Sequence, residues 1–275
     1  MVLPRYDLHV HSRFCDGKDT PEEMTLEAIR RGIKVLGFSG HSHTPHDVGY
    51  CMSEKEIPSY CAEISRLRKC YSDRIEIYCG IEQDFYSPPI TERFDYVIGS
   101  VHYLKCGDSY LPVDLSRERF MSDVEQFFEG NIFRYLKCYY ETVAELASVK
   151  EVDIVGHFDL VEKFNEGNQL FDPSDYRYRL PMLDALDALL EKDKIFEINT
   201  GAIARGYRNV PYPAAYILRR IAEKRGRVMI NGDTHRKENL LVGYGEAVML
   251  ARSCGVGGLT VLQNREWLTL PWGKV

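Results

Sequence analysis

Two short segments far apart in the chain carry the same arrangement of groups able to bind metal. In Asp7-Leu8-His9-Val10-His11 polar and apolar residues alternate, so in a strand of period two the three polar side chains share one face. The spacing returns in Asn231-Gly232-Asp233-Thr234-His235. Between them stand Asp16, His41, Glu82, His102 and His157. Imidazole with carboxylate and no thiolate is the donor set of hydrolytic Zn, Mn or Fe sites, whereas structural zinc favours cysteine. His9, His11, Asp16, His41, Glu82, His102, His157, Asp233 and His235 exceed the roughly three or four ligands one tetrahedral ion takes. The excess points to a bi- or trinuclear centre with a bridging carboxylate. Asp7 is expected to orient an imidazole, and His43 and His46 to be loop residues with no metal role.

These donors need elements that bring them together. Strands rich in Val, Ile, Tyr and Phe are expected at Tyr6–His9, Val35–Ser39, Ile75–Cys79, Tyr96–Gly99, Asp153–Gly156, Lys194–Ile198, Arg227–Ile230 and Gly258–Leu262. A helix is expected from Pro21, with Thr20 as its cap and Glu22 and Glu23 in its first turn. Further amphipathic stretches cover about Glu56–Tyr71, Phe133–Val149, Asp175–Lys192, Pro213–Lys224 and Gly245–Ser253. Alternation of β and α predicts parallel strands with helical crossovers in a closed or nearly closed barrel, taken as one domain over 1–275. The aromatic and charged run from Asp108 to about Asn131 is expected to leave the barrel. Six of the eight histidines fall at or just past the C-terminal end of an expected strand, the face on which such barrels carry chemistry.

Composition narrows the function classes. At 44% apolar and 28% charged, the 275 residues are too apolar for a disordered chain. With 35 basic against 41 acidic residues there is no general field for holding nucleic acid. No apolar run reaches the ~18–20 residues of a membrane span, and the start lacks a signal-peptide core, so a cytoplasmic protein is expected. The eight cysteines form no CxxC pair and read as reduced, incidental thiols. Cys15, near two histidines, is not expected to be a nucleophile, because those histidines serve better as ligands.

The motifs Asp7-Leu8-His9-Val10-His11-Ser12, Asp16-Gly17, Gly40-His41-Ser42-His43, Gly80-Ile81-Glu82, Ser100-Val101-His102, Gly156-His157-Phe158-Asp159 and Gly232-Asp233-Thr234-His235 resemble, in order, those of the polymerase and histidinol phosphatase (PHP) superfamily. Within it the resemblance is closest to the monofunctional histidinol-phosphate phosphatases of histidine biosynthesis. It implies a distorted (β/α)7 TIM-like barrel and a site for three divalent ions, Mn, Zn or Fe, with the nine residues above as ligands. The expected partner is a small-molecule phosphate monoester, with no nucleic acid and no membrane. The oligomeric state is left open.

The chemistry agrees. A phosphate monoester is close to a dianion at neutral pH, and clustered divalent ions both neutralise it and hold a hydroxide for in-line attack, with Asp233 or His235 managing the proton. Residual phosphate charge calls for cations, and Lys163 and Arg205 are the candidates, with His43 as a further substrate contact. An ammonium and an imidazole on the substrate would need an acidic or aromatic subsite, for which Asp84, Tyr86, Tyr103 and Glu162 are available. A phosphoesterase of the same superfamily acting on nucleotides or oligonucleotides is the alternative, but no Lys/Arg cluster adjoins the motifs. A metal-dependent amidohydrolase is disfavoured by Glu82 and the Asp233/His235 pair, and a non-catalytic metal-binding module by the intact ligand set.

Overall fold

The structure, a computed structural model, describes residues 3–274. Its strands are β1 (Tyr6–Val10), β2 (Val35–Phe38), β3 (Glu76–Asp84), β4 (Tyr96–Ser100), β5 (Tyr103–Cys106), β6 (Ser109–Pro112), β7 (Ile154–Val155), β8 (Ile195–Asn199), β9 (Arg227–Asn231), β10 (Gly258–Gln263) and β11 (Glu266–Pro271). The helices are α1 (Pro21–Arg30), α2 (Ile57–Cys70), α3 (Arg117–Phe128), α4 (Ile132–Glu145), α5 (Tyr176–Glu191), α6 (Gly201–Ala204), α7 (Ala215–Glu223) and α8 (Tyr244–Ser253). Seven strands pair in parallel in the order β1-β2-β3-β4-β7-β8-β9, forming a nearly closed, distorted (β/α)7 barrel. Among the described residues no helix is long and apolar enough to cross a membrane.

Local chemistry sets the element ends. Thr20 accepts the Glu23 N–H at the start of α1 while the Glu23 carboxylate takes the Thr20 N–H, a reciprocal cap. In β1 every residue is buried, as expected of a barrel strand covered on both faces.

Closure between β9 and β1 runs largely through side chains. Asp7 accepts from the backbone N–H of His9 at 3.1 Å, that of Gly232 at 3.0 Å and the Thr234 hydroxyl at 3.1 Å. Asn231 Oδ1 takes the Leu8 N–H at 3.0 Å, and Thr234 exchanges backbone bonds with His9 and His11 at 2.9 Å each. Asp7 therefore does not orient an imidazole, as its motif suggested; it fastens the ends of the barrel to each other. Burial pushes its carboxyl up to about 7 against the pull of these donors.

The two mouths differ. Gly258–Leu262 does not join the barrel: β10 pairs antiparallel with β11. Val261 and Leu262 pack with Tyr6, Leu8, Tyr96, Ile154, Ile195 and Met229 at the N-terminal ends of the barrel strands and plug that end. Tyr96 fills the axis, its hydroxyl donating to the Leu8 and Phe38 carbonyls and its ring lying where a Cβ on Gly80 would sit. The Asp108–Asn131 run does leave the seven-stranded sheet: it holds β6, which pairs antiparallel with the preceding β5, and then α3.

The Asp7→Ala variant should lose about 2–4 kcal/mol of stability in urea unfolding, because three buried donors would go unpaired. A loss below half a kcal/mol would mean the barrel closes without this carboxylate.

Candidate metal centre

β3 runs on past the expected Cys79 to Asp84, which carries Glu82 into the barrel mouth. The β2–β3 pairing continues as a bridge between His41 and Glu82, so these two are register neighbours. Around the Glu82 carboxylate, 99% buried, stand His41 Nδ1 at 2.9 Å, His157 Nε2 at 3.1 Å, His9 Nε2 at 3.2 Å, and His11 Nε2 and His102 Nε2 at 3.5 Å. Ser100 donates to the same carboxylate at 2.7 Å. All nine donors singled out in the sequence thus meet at one place. Asp16 reaches His235 Nε2 at 3.1 Å and His11 and His41 at 3.7 Å, while Asp233 lies 3.4 Å from His11 Nε2 and from His235 Nδ1. The rings of His11 and His235 stack at 4.0 Å.

The donors form three overlapping groups: His11, Asp16, His41 and His235; His9, His11 and Asp233; and His41, Glu82 and His102. Within each, one ligand atom per residue lies within 4.8 Å of the others. His157 stands outside these groups but against Glu82. His9 Nε2, His11 Nε2, Asp16 Oδ1 and Glu82 Oε2 are buried and have no hydrogen-bond partner among the described residues. Polar atoms left so in a protein interior are costly, and a shared cation satisfies them together, so the donor set fits divalent ions. Asp233 holds a left-handed backbone, φ +47°, at the point where β9 gives way to the site.

Electrostatics follow from the crowding. Burial alone would raise the Glu82 carboxyl, but His9, His41 and His102 hold it well below the usual carboxylate range. Asp233 is held low in the same way against burial, by Arg205 and His9. Burial together with neighbouring His235 and His41 pushes the His11 imidazole down to about 3. His102 resists burial because Glu82 and Asp84 face it, and rises to about 9.

Two orienting carboxylates had no assigned part in the sequence reading of the metal centre. Glu197 on β8 bonds His9 Nδ1 at 2.6 Å and accepts from the His157 N–H, Asn199 and Asn231. That fixes which His9 nitrogen faces the centre. Its sequence signal was an acid in the middle of an otherwise apolar strand, Ile195-Phe196-Glu197-Ile198. Asp84 accepts the His102 N–H and faces its Nδ1 at 3.4 Å, so it is spent on the centre and is not a free substrate acid.

Among the substrate candidates, Arg205 and Lys163 line the open pocket above the donors. Arg205 bonds Asp233 at 2.9 Å and His235 Nδ1 at 3.1 Å. Gly201 makes room for this pair, since a Cβ there would overlap the Asp233 carboxylate. Lys163 bonds Asp114 at 2.9 Å and lies 4.6 Å over the Tyr207 ring. His43 is half-buried and does not line the pocket. Tyr103 lines it; Tyr86 does not, and Glu162 is buried against Tyr178 and Tyr216. Burial and the nearby Asp16 push the Cys15 thiol up to about 12, which disfavours its thiolate.

The sequence profile of the PHP domain matches residues 7–201, more than half of the chain. The chain belongs to the PHP domain family. Asp233 and His235 lie beyond the matched segment, and β9 brings them to the other seven donors. Over 268 residues the chain is 30% identical to a probable histidinol-phosphatase of Deinococcus radiodurans, covering 93% of this chain and 95% of that one. It is 25% identical to the histidinol-phosphatase of Bacillus subtilis, over 91% of this chain and 100% of that protein. The crystal structure of a Lactococcus lactis histidinol phosphate phosphatase, complexed with zinc, L-histidinol and phosphate, shares the fold at a TM-score of 0.70. That match has 20% identity and covers 98% of this chain and 100% of the other.

Replacing the buried orienting carboxylate of this PHP domain, Glu197→Gln, should weaken divalent-ion binding by about 10–100-fold in a chelator-competition titration. Unchanged affinity would make Glu197 a packing residue only.

Proposed function

We propose that this chain is a metal-dependent phosphatase that hydrolyses L-histidinol phosphate to L-histidinol and phosphate. In this reading the centre holds three divalent ions, drawn from Mn, Zn and Fe, on the nine donors. The observation that carries it is the convergence of those donors on Glu82, directly beneath a pocket edged by Arg205 and Lys163. Each neutral imidazole has one free lone pair, so His11 and His41 each serve one ion although each falls in two donor groups. The carboxylates of Asp16, Glu82 and Asp233, with two oxygens apiece, are the groups able to bridge. Three divalent ions would offset the whole formal charge of −6, which makes an acidic chain a suitable host for a phosphate dianion. Bound ions supply Lewis acidity toward the phosphoryl oxygens and lower the pKa of water.

The protein groups do the rest. Arg205 spends donors on Asp233 and His235 and keeps others of its planar fork for a phosphoryl oxygen in the pocket. Lys163, tethered to Asp114, brings a second cationic group to the same pocket. Asp233, held ionised, accepts a hydrogen bond from the attacking water and orients it as the new P–O bond forms and the bond to the leaving alcohol breaks, while His235 takes the proton that the water loses and passes it to the departing alkoxide. The 30% identical relative and the shared fold support the choice of ester.

The metallated chain should release phosphate from histidinol phosphate and lose turnover on chelation, recovering when ions are restored. Arg205→Ala should raise KM for the ester by about tenfold or more, as loss of a charged hydrogen bond implies. Phosphate release from nucleotides but not from histidinol phosphate would refute the assignment.

A further inference from the structure

The substrate proposed above is strongly polarised: a phosphate dianion at one end, an ammonium and an imidazole at the other. The pocket too carries charge of both signs: Lys18, Lys163, Arg205 and Arg236 line it, together with Asp47 and Tyr50 of the loop after His41 and Tyr103 of the hairpin strand β5. Five carboxylates line the pocket, and four already have cationic or imidazole partners. Asp16, Glu82 and Asp233 belong to the metal centre, and Asp114 is paired with Lys163. The fifth is Asp47, which among the described residues has no basic group within 4.0 Å.

Asp47 is nevertheless held in place. Tyr103 donates to its Oδ2 at 2.8 Å and the Gly49 N–H to its Oδ1 at 3.2 Å. A carboxylate offers about four lone-pair positions, so these two bonds fix its direction and leave acceptors open toward the pocket. The loop that carries it is clamped on the hairpin: the His46 ring stacks on Tyr110 at 3.7 Å and meets Tyr103 edge-on at 4.6 Å. Tyr50, on the same loop, lies edge-on to His41 at 4.7 Å and 6.4 Å from the Tyr103 ring. An exposed but oriented carboxylate with no basic partner thus sits beside two aromatic rings, in the pocket that it shares with the donors and the cations.

We propose that Asp47 determines specificity for the alcohol half of the substrate by receiving its ammonium group, while Tyr50 and Tyr103 pack against its imidazole. The proposal rests on the histidinol phosphate reading. Metallated wild type and Asp47→Asn are to be assayed on histidinol phosphate, on its analogue lacking the amine, and on p-nitrophenyl phosphate as the reference ester. In the wild type the amine should favour the ester by about tenfold in kcat/KM, and in Asp47→Asn that preference should collapse, with the loss in KM rather than kcat. Asp47→Glu, which keeps the charge, should restore part of it, an outcome a merely structural role would not give. If Asp47→Asn kept the full preference for the amine-bearing ester, the subsite would be refuted while the function stood. If the wild type cleaved p-nitrophenyl phosphate but not histidinol phosphate, the function itself would fail, and this subsite with it.

Discussion

A carboxylate buried among five imidazoles is the constraint from which the rest of this barrel follows. An ionised group taken out of water is destabilised by several kcal/mol unless charge and hydrogen bonds compensate it. The Oε1 of Glu82 is bonded by the Ser100 hydroxyl and His157, while Oε2 faces His9, His11 and His41 with no hydrogen-bond partner among the described residues and is left for a cation. His9 and His11 come from β1 and Asp233 and His235 from the end of β9, the two edges of the sheet order, so the barrel must close for the whole donor set to meet. Asp7 closes it, using its oxygens on the backbone of both end strands. The carboxylate that holds the barrel shut and the imidazole that enters the centre are therefore two residues apart on one strand. Fold and site are built from the same alternation.

The scaffold is asymmetric for the same reason. At the N-terminal mouth the β10–β11 hairpin and Tyr96 fill the axis with apolar and aromatic volume. The C-terminal mouth cannot be filled in that way, because it holds polar atoms that need a ligand. Orientation there is supplied from behind: Glu197 grips the far nitrogen of His9, Asp84 faces that of His102, and Arg205 couples Asp233 to His235. Such backing fixes imidazoles and carboxylates before any ligand arrives, which is where a preorganised site gains its advantage.

Much of this was legible in the chain, for a physical reason. The barrel strands are short, doubly buried and β-branched, and their C-terminal ends are marked by histidines too regular to be core residues. What was hidden depended on partners distant in sequence. Asp7 looked like an orienting acid for its own motif until Gly232 and Thr234 came within reach. Glu197 gave no spacing signal, because its partners His9, His157 and Asn231 lie on three other strands or strand ends. His43 shared a motif with His41, but only His41 lines the pocket. Gly258–Leu262 had the composition of a barrel strand, and only the following β11 made it a hairpin. The α3 helix carried a readable signal in Phe120, Val124 and Phe128, four residues apart behind the Ser116 cap.

The central claim is that these nine side chains form one cage for divalent ions. Anomalous diffraction from crystals of the metallated protein, recorded at the absorption edges of Mn, Fe and Zn, tests it most directly. The account predicts anomalous peaks confined to the space between Glu82, Asp16 and Asp233, three at full occupancy, each within ligand distance of histidine nitrogens. Peaks elsewhere on the surface, with that space free of metal in a catalytically active protein, would contradict it.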